Sequence, residues 1–470
     1  MKISIENFKT IKSLQNFEIK PFTVLSGVNS SGKSSFIQLL LLLKQTIELD
    51  SSNEPFLLDG KLYKVREFKD IITDKDLKRN LNVSFEFNKS EFIQIENLKT
   101  ISIFNSLGDY KCLIEMKYDI NLNDDIYISQ FSVNFVFSEK KVHFISFNSN
   151  PDNIFSIETN SAIFEKELYY EKPIIKNIHF SSIYPEYYES EQEEVVELGD
   201  HESIEHKFNK NLINLEDVKT IINSFFQNIS YIEPNRDVPK DEYSFSRNHK
   251  NVGTKGEFVA QVLEENANKQ IIFCTQEKGE NGTTYKEDSK TLVEAVKYWM
   301  CDVFQIAKDI ITEKKNDTYK ILLINKAGLP ISIKHVGFGI SQLLPIVVEG
   351  LMMTNKGTLI VEQPEIHLHP KLQSSLYDFL YGLTKQGKKV IVETHSSHFI
   401  TRMRRRIVED ETNQMDDNIS LTFIEDNIFR NIVLDDYGTL DYYPADFIEQ
   451  SGTELKAIVK AQMNKRLKSK

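Results

Sequence analysis

The chain has 470 residues, of which 40% are apolar, and carries a net charge of −12. That length suggests roughly two or three domains, and the composition is that of a globular protein with ample core. The acidic balance disfavours nucleic-acid binding outside local basic clusters. The longest apolar run, Leu39 to Leu43, is far too short to span a bilayer. Three widely spaced cysteines, Cys112, Cys274 and Cys301, exclude a disulfide framework or a zinc ribbon. The expectation is a cytoplasmic protein with no membrane partner, since "MKISIENFK" alternates like a strand and holds no signal-peptide core.

In chain order, "PFTVLSG" predicts a buried strand, and a helix starts near Lys33 and runs through the leucines. Residues 80–150 hold short alternating runs such as "NVSFEF" and "FSVNFVF", the pattern of an antiparallel sheet. From Glu186 to Glu205 there are nine acidic residues and no Lys or Arg, which reads as a solvated loop. Helices are predicted at 212–228 and 291–314, the second with Leu292, Ala295, Val296, Trp299, Val303, Ile306 and Ile310 on one face. A hairpin is predicted around Gly328. Helix (341–353), strand (358–362), helix (370–385) and strand (389–393) follow, an α/β pattern with a parallel sheet. The α/β signal thus sits at both ends of the chain, which predicts one domain split in sequence and joined in space.

Four stretches carry chemistry. "GVNSSGKSS", Gly27 to Ser35, fits the phosphate-binding pattern of two glycines followed by Lys and Ser, between a strand and a helix. Gly27 and Gly32 permit backbone angles closed to other residues, and the N–H groups of Asn29, Ser30, Ser31 and Ser35 add to a helix-terminus anion site. Lys33 is expected to neutralise ATP phosphates and Ser34 to ligate Mg²⁺. The plain alternative is a glycine turn beside a surface lysine. "TLIVEQPEIHLHP" ends a strand on Glu362, a candidate Mg²⁺ ligand, with Gln363 and Glu365 just beyond. His367 and His369 invite a metal reading, but no third ligand is recognisable nearby, and a role in shaping the loop is favoured. "VGFGISQ" places Gly339, Ser341 and Gln342 at a helix start, either a second anion site or a simply capped helix. "VIVETHSSHF" ends a strand at Glu393 and His395, where an imidazole can meet a γ-phosphate or the attacking water. Two basic clusters, Arg402 to Arg406 and "NKRLKSK", read either as a solvated face and a soluble terminus or as a docking patch for DNA or a partner.

In this order the four stretches resemble the Walker A loop, signature serine, Walker B strand and switch histidine of ATP-binding-cassette ATPases of the structural-maintenance and recombination type. The implied fold is α/β, an ABC-type (SMC/RecF-like) P-loop ATPase head with a mixed β and helical insert. The implied segments are an N-terminal lobe (1–90), an insert (91–315), a C-terminal lobe (316–435) and a small tail (436–470). More narrowly, "GFGISQLLPI", "VEQPEIHLHPKLQ", "VETHSSHFITRMRRRI" and "YIEPNRDVP", with Arg236, resemble a prokaryotic AAA-family group. That group is close to the ATPase half of overcoming-lysogenisation-defect nucleases and to the ATPase of the Septu anti-phage system. The resemblance implies a homodimer or higher homo-oligomer holding ATP between the Gly27–Ser35 loop of one copy and Ser341 of the other. It also implies a separate effector nuclease chain, because no nuclease motif follows His395. The competing reading is a repair or recombination ATPase acting directly on DNA; no heptad run long enough for a coiled-coil arm favours it. Gln363 stands where the broader family has a catalytic Glu, and an amide cannot accept a proton from water. Hydrolysis is therefore expected to be slow, or to draw on Glu365, Glu393 or His395.

Overall fold

The structure, a computed structural model, describes residues 1–29, 31–49, 54–89, 91, 109–137, 140–149, 155–159, 174–175, 178–181, 184–187, 215–247, 249, 251–279, 282–410, 415–435 and 437–442. The chain divides into two compact units, one of residues 1–19 and 34–229, the other of 20–33 and 230–470. Neither is a single segment of sequence.

In chain order the first half holds β1 (Lys2–Phe8), β2 (Ile11–Glu18), β3 (Phe22–Gly27), α1 (Lys33–Glu48), β4 (Leu81–Asn88), β5 (Tyr110–Ile120), β6 (Ile126–Phe137), β7 (Lys140–Ser149), β8 (Phe155–Thr159), β9 (Ile174–Ile175), β10 (Ile178–Ser181), β11 (Tyr184–Tyr187) and α2 (Leu215–Phe226). The first unit is built on an antiparallel sheet in the order β2-β1-β4-β5-β6-β7-β8-β9. The alternation in "LNVSFEFN" is what makes β4 half-buried: Leu81, Val83, Phe85 and Phe87 face inward, and Cys112, Ile114, Met116 and Tyr118 of β5 do the same. Phe17 packs edge-on against Phe36 of α1, with ring centroids 4.9 Å apart. The predicted antiparallel sheet at 80–150 is therefore present, extended by the first two strands. Of the acidic stretch, Glu186 and Tyr187 end β11, and 188–205 lie outside the described residues, as do Ser30 and the "NKRLKSK" tail.

The second half holds β12 (Ile229–Ile232), β13 (Tyr243–Ser244), α3 (Val259–Glu265), β14 (Gln270–Lys278), β15 (Thr283–Thr291), α4 (Leu292–Lys297), β16 (Asp309–Lys315), β17 (Thr318–Ile324), β18 (Pro330–Ser332), α5 (Phe338–Met352), β19 (Thr358–Glu362), α6 (Pro370–Thr384), β20 (Lys389–Glu393), α7 (Ser397–Glu409), β21 (Ile419–Glu425) and β22 (Ile428–Ile432). The second unit centres on a six-stranded sheet, β12-β19-β20-β3-β21-β22. Strands β19, β20, β3 and β21 run parallel, which is why they read as continuous apolar runs buried on both faces. Strand β3 brings the stretch after residue 20 into one sheet with strands that follow residue 350, the split domain expected from the sequence. Phe22 anchors it, meeting the rings of Tyr377, Tyr381 and Phe399 within 6.4 Å.

Two helix predictions need correction. The helix expected over 291–314 stops early: α4 passes into a π-helical stretch, Tyr298–Val303, and Ile310 lies on β16. Ile310 is buried, as the helical spacing required, but it also fits a strand. The two-residue connection Asn316–Asp317, with Asn316 at φ 53°, closes β16 onto β17 instead. The helix expected at 341 starts three residues earlier, at Phe338, with Gly337 as its N-cap.

Candidate functional site

The loop between β3 and α1 needs both its glycines. Gly27 has φ 143°, and a Cβ there would lie 2.0 Å from the Ile424 carbonyl oxygen on neighbouring β21, so no other residue fits. Gly32 has φ 105°. Lys33 is 3% exposed and folds back over the loop, its Nζ donating to the carbonyls of Val28 (2.6 Å) and Gly27 (3.2 Å). Burial lowers its pKa, and the charge of Glu393 opposes that. The Ser31 hydroxyl is buried with no hydrogen-bond partner, an orphan that a phosphate oxygen would satisfy. Asn29 is exposed. Ser34 and Ser35 continue α1 in the first unit, where the Ser35 hydroxyl lies 3.1 Å from that of Thr10.

Two carboxylates stand beside this loop at the carboxyl ends of parallel strands, where open α/β sheets place their ligands. Glu362 ends β19 and Glu393 ends β20; they are Cα partners, and Glu393 is in turn the partner of Leu25 on β3. Burial pushes Glu393 up to about 8, helped by its hydrogen bond to Glu362 and by that charge, against the pull of Lys33. Glu393 is thus largely protonated at neutral pH. The Tyr231 hydroxyl donates to Glu362 Oε1 at 2.5 Å and is held firmly protonated by burial and by that carboxylate.

Gln363 has a left-handed backbone, φ 43°, uncommon for a residue with a side chain. Its N–H donates to the Glu393 carbonyl at 2.8 Å. Glu365 turns inward: Oε1 accepts the His395 N–H at 2.6 Å, and Oε2 is buried without a partner. Burial raises its pKa. The exposed His395 imidazole is lowered by partial desolvation and then by the charge of Lys33, so it is neutral at pH 7. The switch segment is pinned to β3, since the Thr394 N–H donates to the Leu25 carbonyl (3.0 Å) and the Ser26 hydroxyl to the Thr394 carbonyl (2.7 Å).

The start of α5 differs from the sequence expectation. Ser341 does not open the helix. It is buried in the first turn, with its hydroxyl donating to the Phe338 carbonyl at 2.7 Å. Gln342 is also turned inward: Oε1 accepts from Arg236 Nε (3.2 Å), and Nε2 donates to the Asp237 carbonyl (3.3 Å). Gly339 is required by packing, because a Cβ there would lie 2.4 Å from the His367 carbonyl oxygen. The Phe338 ring meets His367 edge-on at 4.9 Å, and His369 caps α6 by accepting the Lys371 N–H. Both histidines thus shape the loop.

The arginine cluster is divided: Arg405 is exposed, whereas Arg406 is buried and Arg402 and Arg404 are half-buried. Arg402 and Arg406 converge on buried Asp378, Arg406 through Nε (2.7 Å) and Nη2 (2.9 Å). Arg405 pairs with Glu409, and Arg404 donates to the Gly438 carbonyl.

The structure therefore gathers Gly27, Ser31, Lys33, Glu362, Gln363, Glu365 and His395 at one sheet edge of the second unit. Tyr231, absent from the candidate residues read from sequence, belongs with them; only the stretch "YIEPNRDVP" pointed that way. Among the described residues, no group of three or more His, Cys, Asp or Glu is placed to hold a metal. The carboxylate of Glu362 at the sheet edge is the kind of ligand Mg²⁺ takes, one or two carboxylates with water and phosphate completing its shell.

The AAA ATPase domain family matches residues 1–400, and the chain belongs to that family. The family fixes the class, an ATPase of AAA type, and implies nucleotide binding, usually with Mg²⁺. Among curated proteins none matches. Solved structures similar to the chain include an SMC head bound to the C-winged helix domain of ScpA, at 11% identity and TM-score 0.35 over 92% of this chain and 95% of that one. Another is the SMC head domain from Thermotoga maritima, at 9% identity and TM-score 0.34 over 92% and 98%. A third is the Smc head with an extended coiled coil, bound to the C-terminal domain of ScpA and derived from Pyrococcus furiosus, at 11% identity and TM-score 0.35 over 97% and 98%. No helix among the described residues is long and apolar enough to cross a membrane.

Proposed function

We propose that the chain binds ATP with Mg²⁺ at the loop Gly27–Ser35 and, in an ABC-type arrangement, assembles with a second copy to control a separate effector nuclease in cytoplasmic anti-phage defence. The observation that carries the nucleotide reading is the register Leu25–Glu393–Glu362 across three adjacent parallel strands, which sets the glycine loop and its buried lysine beside two carboxyl groups. Lys33 would leave the Gly27 and Val28 carbonyls for the phosphates, and the orphan Ser31 hydroxyl would donate to them. Mg²⁺ would be held by Glu362 and Ser34 and would neutralise developing phosphate charge. Tyr231 fixes the orientation of the Glu362 carboxylate. Gln363 can orient a water but cannot take its proton; the neutral His395 imidazole can accept one. The nuclease and the defence role rest on the resemblance of the four motifs to the overcoming-lysogenisation-defect and Septu ATPases. Pairing with buried Asp378 engages Arg402 and Arg406, two of the four arginines in the cluster, within the protein, which favours this reading over direct action on DNA.

Calorimetry with Mg-ATP on the full chain tests the site. Charge-assisted bonds to phosphate are worth roughly 1.5–3 kcal/mol each, so Lys33→Ala should bind about ten- to a hundredfold more weakly. Equal affinity in the two proteins would remove the assignment.

A further inference from the structure

Arg236 is 4% exposed, and its guanidinium is divided among neutral acceptors on three separate elements. Nη1 donates to the Glu233 carbonyl (3.2 Å), Nε to Gln342 Oε1 in the first turn of α5 (3.2 Å), and Nη2 to the Gln363 carbonyl just beyond β19 (3.3 Å). It forms no ion pair with any described carboxylate. Burial pushes its pKa down to about 10, with only the more distant Glu365 opposing. A buried guanidinium without a counter-ion is costly, and a neutral strut would hold two elements together at less cost. What a planar fork adds is direction: several donors fixed relative to one another.

The Gln363 peptide is held from both sides. Its N–H is on the Glu393 carbonyl and the Arg236 guanidinium is on its own carbonyl, in a backbone conformation that is uncommon unless the surroundings enforce it. Turning that peptide would break its bond to Arg236 and leave a buried charge still less satisfied. Arg236 likewise binds the side chain of Gln342, so the first turn of α5 cannot shift alone.

We infer that Arg236 is a positioning residue that makes the loop after Glu362 and the first turn of α5 move as one piece, coupling ATP turnover at Gln363 to the proposed association of two copies through the start of α5. This rests on the nucleotide reading above and adds to it a residue whose described hydrogen bonds go to Glu233, Gln342 and Gln363.

The test uses the full-length protein and two substitutions, Arg236→Lys, which keeps the charge and loses the fork, and Gln342→Met, which keeps the shape and loses the acceptor. Three quantities are measured: Mg-ATP affinity, kcat for ATP, and the ATP-dependent association constant from light scattering. Both variants should bind ATP within about threefold of wild type. In both, kcat should fall about tenfold or more, as displacement of a positioned group does, and association should weaken alongside it. Full activity in Arg236→Lys, or a fall in kcat with unchanged association in either variant, overturns the coupling. So does a lowered melting temperature with kcat and association both at wild-type values, which would mark the residue as structural only. If Arg236→Lys does not fold, Gln342→Met decides. A wild-type protein that binds no ATP overturns the nucleotide reading and this inference with it; a wild type that binds and turns over ATP beside unaffected variants overturns this inference alone.

Discussion

Glu362 and Glu393 are Cα partners at the ends of two adjacent parallel strands, and their side chains share a hydrogen bond with one proton between them. The strand register sets that contact, because parallel pairing without a bulge puts both side chains on the same face of the sheet edge. Glu393 moves from an ordinary 4.5 to about 8. Between those values the folded protein holds a proton that the unfolded chain has released. This contribution to stability is complete below about pH 4.5 and is lost as pH rises through about 8. Glu393→Gln keeps a neutral hydrogen-bonding group and removes the titration. Thermal melts should show wild type losing stability towards alkaline pH and the variant losing less, so that the variant is the more stable at about pH 9. Parallel pH profiles for the two proteins would refute the shared proton.

Gln363 sets the expected pace of hydrolysis. Loss of a general base costs about 10²–10⁴-fold, so the purified protein should turn over ATP well below about 10 s⁻¹, the median for enzymes. Gln363→Glu should raise kcat, read by phosphate release. A fast wild type would show that His395 or Glu365 already serves as an efficient base.

The proposed closure of two copies is best tested at Phe338. Ser341 is buried, and an arginine there would disturb the helix itself. Phe338 is 38% exposed in the first turn of α5, so Phe338→Arg places a charge on the surface without burying it. ATP affinity of the single chain should stay near wild type, while the ATP-dependent rise in mass by light scattering should disappear. An unchanged rise in mass would place the contact between copies elsewhere.

Asp378 accepts from Arg402, Arg406 and Tyr285, and among the described residues it is the only carboxylate that both arginines reach. Asp378→Asn leaves two guanidinium groups without that charge in a buried setting, which costs about 3–5 kcal/mol when one partner of such a pair is lost. Denaturant melts should report a loss of that order. A change below about 1 kcal/mol would mean that Glu409 compensates.

The local elements were legible because their causes are local. The alternation in β4, the apolar runs of β19 and β20, and the glycines and lysine around residue 30 declare themselves within a few residues. Even the joining of the two ends of the chain could be read, because both carried the same α/β pattern. The helix predicted through Ile310 failed because its apolar spacing suited a helix and a strand alike, and the partner that decided between them, β17, lay further along the chain. Ser341 was read as a helix opener from its place after two glycines, yet the helix begins at Phe338, where Gly339 must pack against the His367 carbonyl. The arginine run looked like a surface charge cluster until Asp378, on a different helix, was found beneath it. Composition and motif by themselves determined the class of chemistry, a phosphate loop with a carboxylate strand, because each is a short sequence with one physical use. Only the tertiary structure decided that Tyr231 holds Glu362 and that Arg236 sits buried between Gln342 and Gln363. Those facts depend on burial and on contacts between residues more than a hundred positions apart, and no spacing within the sequence encodes a distance across a sheet.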